Sequence, residues 1–239
     1  MPVENIPSFA PAKPTRTSSN AISYSRMTTH GKCGLKYKWS YVDKVPVDRG
    51  EPGPALLRGT KLHDSAEHYV LGKIPQVDPE LEFYAQWLHG LKENYDCKPE
   101  FQWGLTRDFE PCDFDSPDAY IRGIFDLAVM SCTEENGEGD IFEYKTGKIY
   151  DDHKLQREFY AIPAMLHFDW PTVKVSTVYF DQKKTHEETW TRDDIPAIKA
   201  KLDSKIHLMG LAGSWIPNPS WMCRFCDFSK DKGGPCNFG

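Results

Sequence analysis

Nowhere in the 239 residues is there an unbroken run of about eighteen apolar side chains, so no stretch reads as a membrane-spanning helix. The opening residues, MPVENIPSFAPAKPTRTSSN, also lack the charged-then-apolar pattern of a secretory leader. Together these absences predict a cytoplasmic protein. No internal repeat is present, which argues against a solenoid. Positive charge is not in excess either: 29 Lys and Arg face 35 Asp and Glu, for a net charge of -6. Any hold on nucleic acid would therefore have to come from a local basic surface and metal ions rather than from the field of the whole molecule. The seven cysteines are an odd number without a secretory signal, which favours thiols or metal ligands over a disulfide framework. What the chain does have is 39% hydrophobic and 13% aromatic residues, enough at this length for a packed core.

Residues 1–21 are rich in Pro, Ser, Thr and Ala without periodicity and read as a disordered tail, with recruitment of a protein partner as one use for it. Residues 22–239 read as one domain. A helix is expected over Ser23 to Tyr41 with Cys33 near its middle or end, then a Pro/Gly loop, then a helix capped by Thr60 and running to about Leu71. Leu62, Ala66, Tyr69 and Val70 form the apolar stripe of that helix, with His63 and Glu67 on an adjacent face. A further helix is expected over Pro79 to Tyr95. The segments EFQWGLTRDFEP, YIRGIFDLAVM and DIFEYKTG read as strands separated by turn-forming residues. After them come a helix from about Asp152 to Phe168 interrupted or kinked at Pro163, a hairpin of TVKVSTVYF and EETWTR, and a helix opening at DDIP and ending near Gly213.

The segment GDIFEYKTGK raises a specific question, because it places Glu143 and Lys145 two residues apart in what otherwise reads as a buried strand. Strand side chains alternate, so Glu143 and Lys145 project to one face while Phe142 and Tyr144 project to the other. In the preceding strand the same rule puts Phe125, Leu127 and Val129 on one face and Asp126 on the opposite one, beside Ile124 and Ala128. If the two strands pair so that Asp126 approaches Glu143, two carboxylates converge, which is unfavourable without a cation or proton between them. Carboxylate oxygens suit Mg²⁺ or Mn²⁺, which can activate water and neutralise charge on a phosphate. Lys145 would then position the attacking water or stabilise the phosphorane. For an isolated Glu-x-Lys triplet a structural ion pair on a solvated face is the commoner outcome. This triplet has company: LQREFYA places Gln156 and Tyr160 one turn apart on the next helix, and GTKLH offers His63 as a further metal ligand.

The succession GTKLH, GIFDLAV, FEYKTGK and LQREFYA resembles the RecB-like branch of the PD-(D/E)xK nuclease superfamily, which includes the AddB nuclease domain and CRISPR-associated and phage exonucleases. The resemblance spans about residues 22–239. It implies an α/β fold with a central mixed β-sheet flanked by helices, the restriction-endonuclease-like core. It also implies that His63, Asp126, Glu143 and the backbone carbonyl of Tyr144 bind Mg²⁺ or Mn²⁺, that Lys145 is the catalytic lysine, and that Gln156 and Tyr160 line the DNA path. Pro163 within the motif helix departs from the pattern. The expected activity is metal-dependent hydrolysis of DNA, as an exonuclease on free or single-stranded ends. A non-cleaving recombination partner and an RNA-directed nuclease are the alternatives.

The C-terminus, PNPSWMCRFCDFSKDKGGPCNFG, gathers Cys223, Cys226 and Cys236 in Gly/Pro-rich chain. Members of the resembled branch often hold a 4Fe-4S cluster with one N-terminal and three C-terminal cysteines. That implies a cluster on Cys33, Cys223, Cys226 and Cys236 joining the two ends of the domain, with structural Zn²⁺ as the alternative. Cys97, Cys112 and Cys132 lack such spacing and read as packing or surface residues. Glu67 and Glu100 read as exposed or capping groups with a supporting place at the site as the other option. Lys32, Lys36 and Lys38 with Tyr37 and Trp39 form a basic, aromatic segment suited to tracking single-stranded nucleic acid, though such runs are more often solvated helix faces. Lys148, Lys154 and Arg157 are placed for phosphate contacts near the motif helix.

Overall fold

The computed structural model describes residues 21–47, 50–131, 137–151 and 153–238; the expected tail, except Ala21, and Cys132 lie outside them. Six strands build one mixed sheet in the order β2-β1-β3-β4-β5-β6: β1 (Tyr95–Leu105), β2 (Pro111–Cys112), β3 (Ile121–Ser131), β4 (Gly139–Lys145), β5 (Thr172–Tyr179) and β6 (Lys184–Thr191). The β4–β5 step is parallel and the others are antiparallel. A parallel step needs a crossover, and helix α5 (His153–His167) provides it.

Helices cover both faces of the sheet, because alternating strand residues are apolar on both. On one face α1 (Tyr24–Lys32), α5 and α6 (Ile195–Gly210) bring Met27, Phe159, Ile162 and Leu202 against Trp103, Phe125, Ile141 and Val175. On the other, α3 (Pro54–Val70) and α4 (Ala85–Asn94) set Leu62, Ala66, Leu88 and Leu91 against Leu127, Val129, Phe142 and Tyr144. This is the expected α/β architecture. Among the described residues no helix is long and apolar enough to cross a membrane.

Several boundaries differ from the sequence reading, each for a local reason. The first helix does not run through to Tyr41: Cys33 is extended at φ -164° and ψ 111°, ending α1 and opening the short α2 (Gly34–Tyr37), which continues as a wider turn over Lys38–Val42. Helix α3 starts six residues before Thr60, since Pro54 at its first position has a preset φ and no amide to leave unpaired. The stretch from Pro79 opens as a 3-10 turn, Pro79–Tyr84, before α4 begins. Helix α5 continues through Pro163, which is buried within it.

The two ends of the chain meet. Gly34 lies so close to the C-terminal segment that a Cβ there would stand 2.2 Å from the Ser214 carbonyl oxygen. The Leu35 amide donates to the Ile216 carbonyl at 3.1 Å, the Asn218 side chain donates to the Lys32 carbonyl at 3.1 Å, and Trp39 packs on Phe228 with ring centres 5.6 Å apart.

Candidate active site

Three strands and two helices converge where Glu143 sits. In the β3–β4 register Leu127 lies opposite Phe142, so the next residues along, Asp126 and Glu143, face each other just beyond the paired ladder. In the β1–β3 register Pro99 faces Leu127 and Phe101 faces Phe125, which leaves Glu100 across from Asp126 on the other side, again outside the pairing. Glu100 has a left-handed backbone, φ 50°, which a side-chain-bearing residue adopts only under local constraint. Helix α3 contributes His63 next to the fully buried Leu62, and α5 contributes Gln156 and Tyr160 beside the fully buried Phe159.

One strand assignment needs correcting. Phe125 does not share a face with Leu127 and Val129. It packs with Trp103, Tyr160 and Ala128 on the α5 side, while Leu127 and Val129 face α3 and α4. The regular alternation breaks at Asp126, which is paired with neither Glu100 on β1 nor Glu143 on β4, so the strand is free to turn there.

The contacts are those of a tightly coupled charge cluster. The Tyr144 amide donates to Asp126 Oδ2 at 2.6 Å, and His63 Nδ1 stands 3.5 Å from the same oxygen. Lys145 Nζ donates to Glu143 Oε1 at 2.5 Å. Glu143 Oε2 is buried and has no hydrogen-bond partner, and neither has the Oε1 of the buried Gln156. The Gln156 amide donates to the Tyr160 hydroxyl at 3.1 Å. Burial, and then the Asp126 charge, push the Glu143 carboxyl upward, while Lys145 and His63 pull it back. Lys145 and His63 both lose by burial but are held above their usual ranges, Lys145 by Glu143 and His63 by Asp126. Tyr160 is raised well above the normal phenol by burial, then by the Glu143 and Asp126 carboxylates, and stays protonated.

Glu100, read from sequence as a simple exposed or capping residue, belongs to this cluster: desolvation of its carboxyl, then Asp126 and Glu67, push it up to about 7. Glu100 is exposed whereas Glu143 is buried, so it lies on the solvent side of the cluster. A register between two distant strands put it there, and no local signal in the sequence could have shown that. Arg157 is not available to a phosphate: it is buried, its Nε donating to Glu188 Oε2 at 2.9 Å and its guanidinium also to Thr177 Oγ1 at 3.2 Å. Lys154 reaches the same glutamate at 3.3 Å, and Lys148 is exposed. A clamp missed from sequence fixes the rim. Arg58 at the start of α3 grips Asp181 at 2.6 and 3.1 Å, and Asp181 accepts the Gly147 amide at 2.6 Å, tying the turn after Lys145 to the helix that carries His63.

Cys33, Cys223, Cys226 and Cys236 are half-buried thiols outside any disulfide, as are Cys112 and Cys97, whose thiol donates to the Leu91 carbonyl at 3.5 Å. The Lys36 amide donates to Cys33 Sγ at 3.4 Å and the Ser220 amide to Cys223 Sγ at 3.3 Å. Among the described residues no three His, Cys, Asp or Glu side chains are gathered closely enough to hold a metal ion, either at these thiols or at His63, Asp126 and Glu143. Of the expected basic and aromatic segment, Tyr37 is buried in the core and Trp39 is half-buried, packed on Phe228.

A family model described as PD-(D/E)XK nuclease superfamily matches residues 21–230. No curated protein matches the sequence. Among solved structures, the crystal structure of SSO0001 superposes with a TM-score of 0.48 at 16% identity, covering 94% of this chain and 89% of that one. An alkaline exonuclease from Laribacter hongkongensis superposes with a TM-score of 0.40 at 12% identity, covering 80% of this chain and 88% of that one.

Proposed function

This chain belongs to the PD-(D/E)XK nuclease superfamily, and from that premise we propose that it is a metal-dependent deoxyribonuclease of the RecB-like branch, acting as an exonuclease on free or single-stranded DNA ends. The observation that carries the reading is Glu143: a buried carboxylate with one oxygen held by Lys145, the other without a partner, and a second carboxylate, Asp126, facing it from the next strand. A buried anion in that state calls for a cation. The donor set of two carboxylates, an imidazole and a backbone carbonyl suits Mn²⁺ or Mg²⁺, with the ion held by Asp126, Glu143, His63 and the carbonyl of Tyr144. Such an ion supplies charge neutralisation at the phosphate and activation of the attacking water.

The chain's own groups do the rest. Lys145, kept charged by Glu143, holds the attacking water and meets the negative charge that grows on the phosphorus oxygens. Asp126, fixed by the Tyr144 amide and by His63, holds β4 so that Glu143 and Lys145 point into the same space. Gln156 and protonated Tyr160, buried and hydrogen-bonded to each other, form the wall of the site along the DNA path. End-labelled single- and double-stranded DNA, and matched RNA, should be incubated with Mn²⁺, Mg²⁺ or EDTA. Loss of label from DNA with metal and none in EDTA is expected, with single strands degraded faster. Absence of cleavage by the folded protein under every condition would overturn the nuclease reading, and faster loss of RNA would move the substrate to RNA.

The four-cysteine 4Fe-4S cluster is part of the same proposal, with tetrahedral Zn²⁺ as its competitor. What supports it is the meeting of the chain ends, which brings the segment after Cys33 against Ser214 to Ile216, and the backbone amides that already donate to Cys33 and Cys223. Anaerobically purified protein should be brown, and Cys226→Ser should bleach it and lower its melting temperature. A colourless wild type carrying zinc would refute the iron assignment, and one carrying neither metal would refute the cluster.

A further inference from the structure

The C-terminal segment exposes two large aromatic side chains that the fold does not use. Trp221 is 67% exposed and Phe225 is 59% exposed, on one short 3-10 turn, Trp221–Phe225. Exposed tryptophan at that level is uncommon, because its indole carries one of the largest apolar surfaces of any side chain. The two rings stand edge to face with centres 6.1 Å apart, and the Arg224 guanidinium lies 5.7 Å from the centre of Trp221 and 4.7 Å from that of Phe225. The cation thus joins both rings in one surface.

The charge around this surface runs against that of the chain. Residues 215–238 carry three Lys and Arg and two Asp, with Lys232 paired to Asp227, and residues 30–43, which dock against this segment through Asn218 and Lys32, carry three Lys and one Asp, with Lys38 paired to Asp43, leaving Arg224, Lys32 and Lys36 as the excess. The protein as a whole has a net charge of -6. Exposed ring faces, a guanidinium over them and a local positive excess are the combination that binds unpaired bases and their phosphates. A duplex hides its base faces in the stack and would gain only the charge.

We propose that Trp221, Arg224 and Phe225 form a stacking platform for single-stranded nucleic acid, separate from the carboxylate cluster. The platform rests on the reading of the chain as a nuclease only for the kind of ligand, and its residues take no part in bond cleavage. It would give the nuclease proposed above its single-strand preference, which a carboxylate site alone would not, since such a site meets a phosphodiester in either form. Tyr37 and Trp39, in the basic segment for which single-strand tracking was the less common reading, are less open than these rings, Tyr37 being buried and Trp39 half-buried against Phe228.

The test is fluorescence anisotropy of labelled oligothymidylate and of a matched duplex, with full-length protein in a Glu143→Gln background and no added divalent ion. Trp221→Ala with Phe225→Ala is expected to weaken oligothymidylate binding by roughly tenfold or more, from the loss per stacked base, and to change duplex binding by less than about twofold. Trp221→Phe should keep most of the affinity, and Arg224→Ala should fall between. Unchanged oligothymidylate affinity in a double variant that melts like its parent overturns the platform. So does a double variant whose defect is in self-association by sedimentation while single-strand binding is intact, which would make the patch a protein contact. If the double variant does not fold, ultraviolet crosslinking of the parent protein to oligothymidylate decides: a crosslinked peptide containing Trp221 supports the platform and crosslinks confined elsewhere overturn it. The two readings fail separately. Wild-type cleavage with unchanged affinity in the double variant removes the platform and leaves the nuclease, and no cleavage with affinity lost in the double variant does the reverse.

Discussion

Lys145→Ala should lose about two to three orders of magnitude in DNA cleavage, and Glu143→Gln should lose more, with the far-ultraviolet circular dichroism of both unchanged. The size of the first effect is that of removing one aimed cationic donor from a site where negative charge develops. The second is larger because glutamine keeps the shape of the side chain but removes the charge that would hold the metal. Mn²⁺ titration separates the two roles. Lys145→Ala should bind Mn²⁺ at least as well as wild type, since Lys145 and the ion compete for the Glu143 carboxylate, whereas Glu143→Gln should bind it poorly. The double variant should be no slower than Glu143→Gln alone, because groups that act on one phosphate are not additive. Wild-type rates in either single variant, or undiminished Mn²⁺ binding in Glu143→Gln, would sink the assignment.

The same variants carry a pH signature. Burial and Asp126 raise the Glu143 carboxyl in the folded protein above its unfolded value. A group raised on folding contributes its stability fully below the unfolded value and loses it as pH rises through the folded one. Lys145 opposes that rise, so its removal exaggerates it. Metal-free Lys145→Ala should therefore melt progressively below metal-free wild type as pH increases above the normal carboxylate range, and Mn²⁺ should restore it.

The shared face of Glu143 and Lys145 was readable because it follows from side-chain alternation in one strand, and the nearness of Gln156 and Tyr160 because it follows from helical spacing in the next element. Glu143 and Lys145 do share a face, with Phe142 and Tyr144 on the other among the α3 and α4 residues. The hairpin of β5 and β6 and the crossover at α5 follow equally from local pattern. Asp126 was expected beside Glu143 and is there, but the alternation used to place it fails at that very residue, since Phe125 turns to the α5 side. Strand periodicity holds only while the ladder is paired, and the site is where the ladder stops. Glu100 had a place at the site only as the second option for a related reason, because its position depends on the β1–β3 register, a relation between residues 26 apart in sequence. Helix α3 begins at Pro54 rather than at the expected Thr60 cap, because the Pro/Gly segment read as a loop supplies a proline suited to the first helical position. The charge clamp from Arg58 through Asp181 to Gly147 joins three separated segments, and no single window of sequence contains it.

The largest stability effect should come from Trp103, and it shows how a pair invisible in sequence can be indispensable in space. Trp103 on β1 lies directly opposite Gly123 on β3 and is fully buried. A Cβ at position 123 would stand 2.5 Å from the indole, so glycine is required there by the ring lying across it rather than by any turn. The indole in turn packs on Phe125, Phe159 and Tyr160, at ring-centre distances of 5.5, 5.4 and 6.1 Å, so it supports one wall of the site. Trp103→Ala should cost about 3–5 kcal/mol in denaturant unfolding, a large share of the roughly 5–15 kcal/mol that holds a domain together. Trp103→Phe should cost less, because it fills most of the space and removes the buried indole N–H that has no acceptor. Gly123→Ala alone should destabilise by about 1–3 kcal/mol through overpacking. Once Trp103 is alanine the clash is gone and the conformational cost of a strand glycine remains, so Gly123→Ala should become neutral or stabilising by up to about 1 kcal/mol. Penalties that simply add in the double variant would mean that the ring does not lie over Gly123. A change of sign would establish the contact from solution measurements alone, together with its reach to Tyr160 if cleavage falls further in Trp103→Ala than in Trp103→Phe.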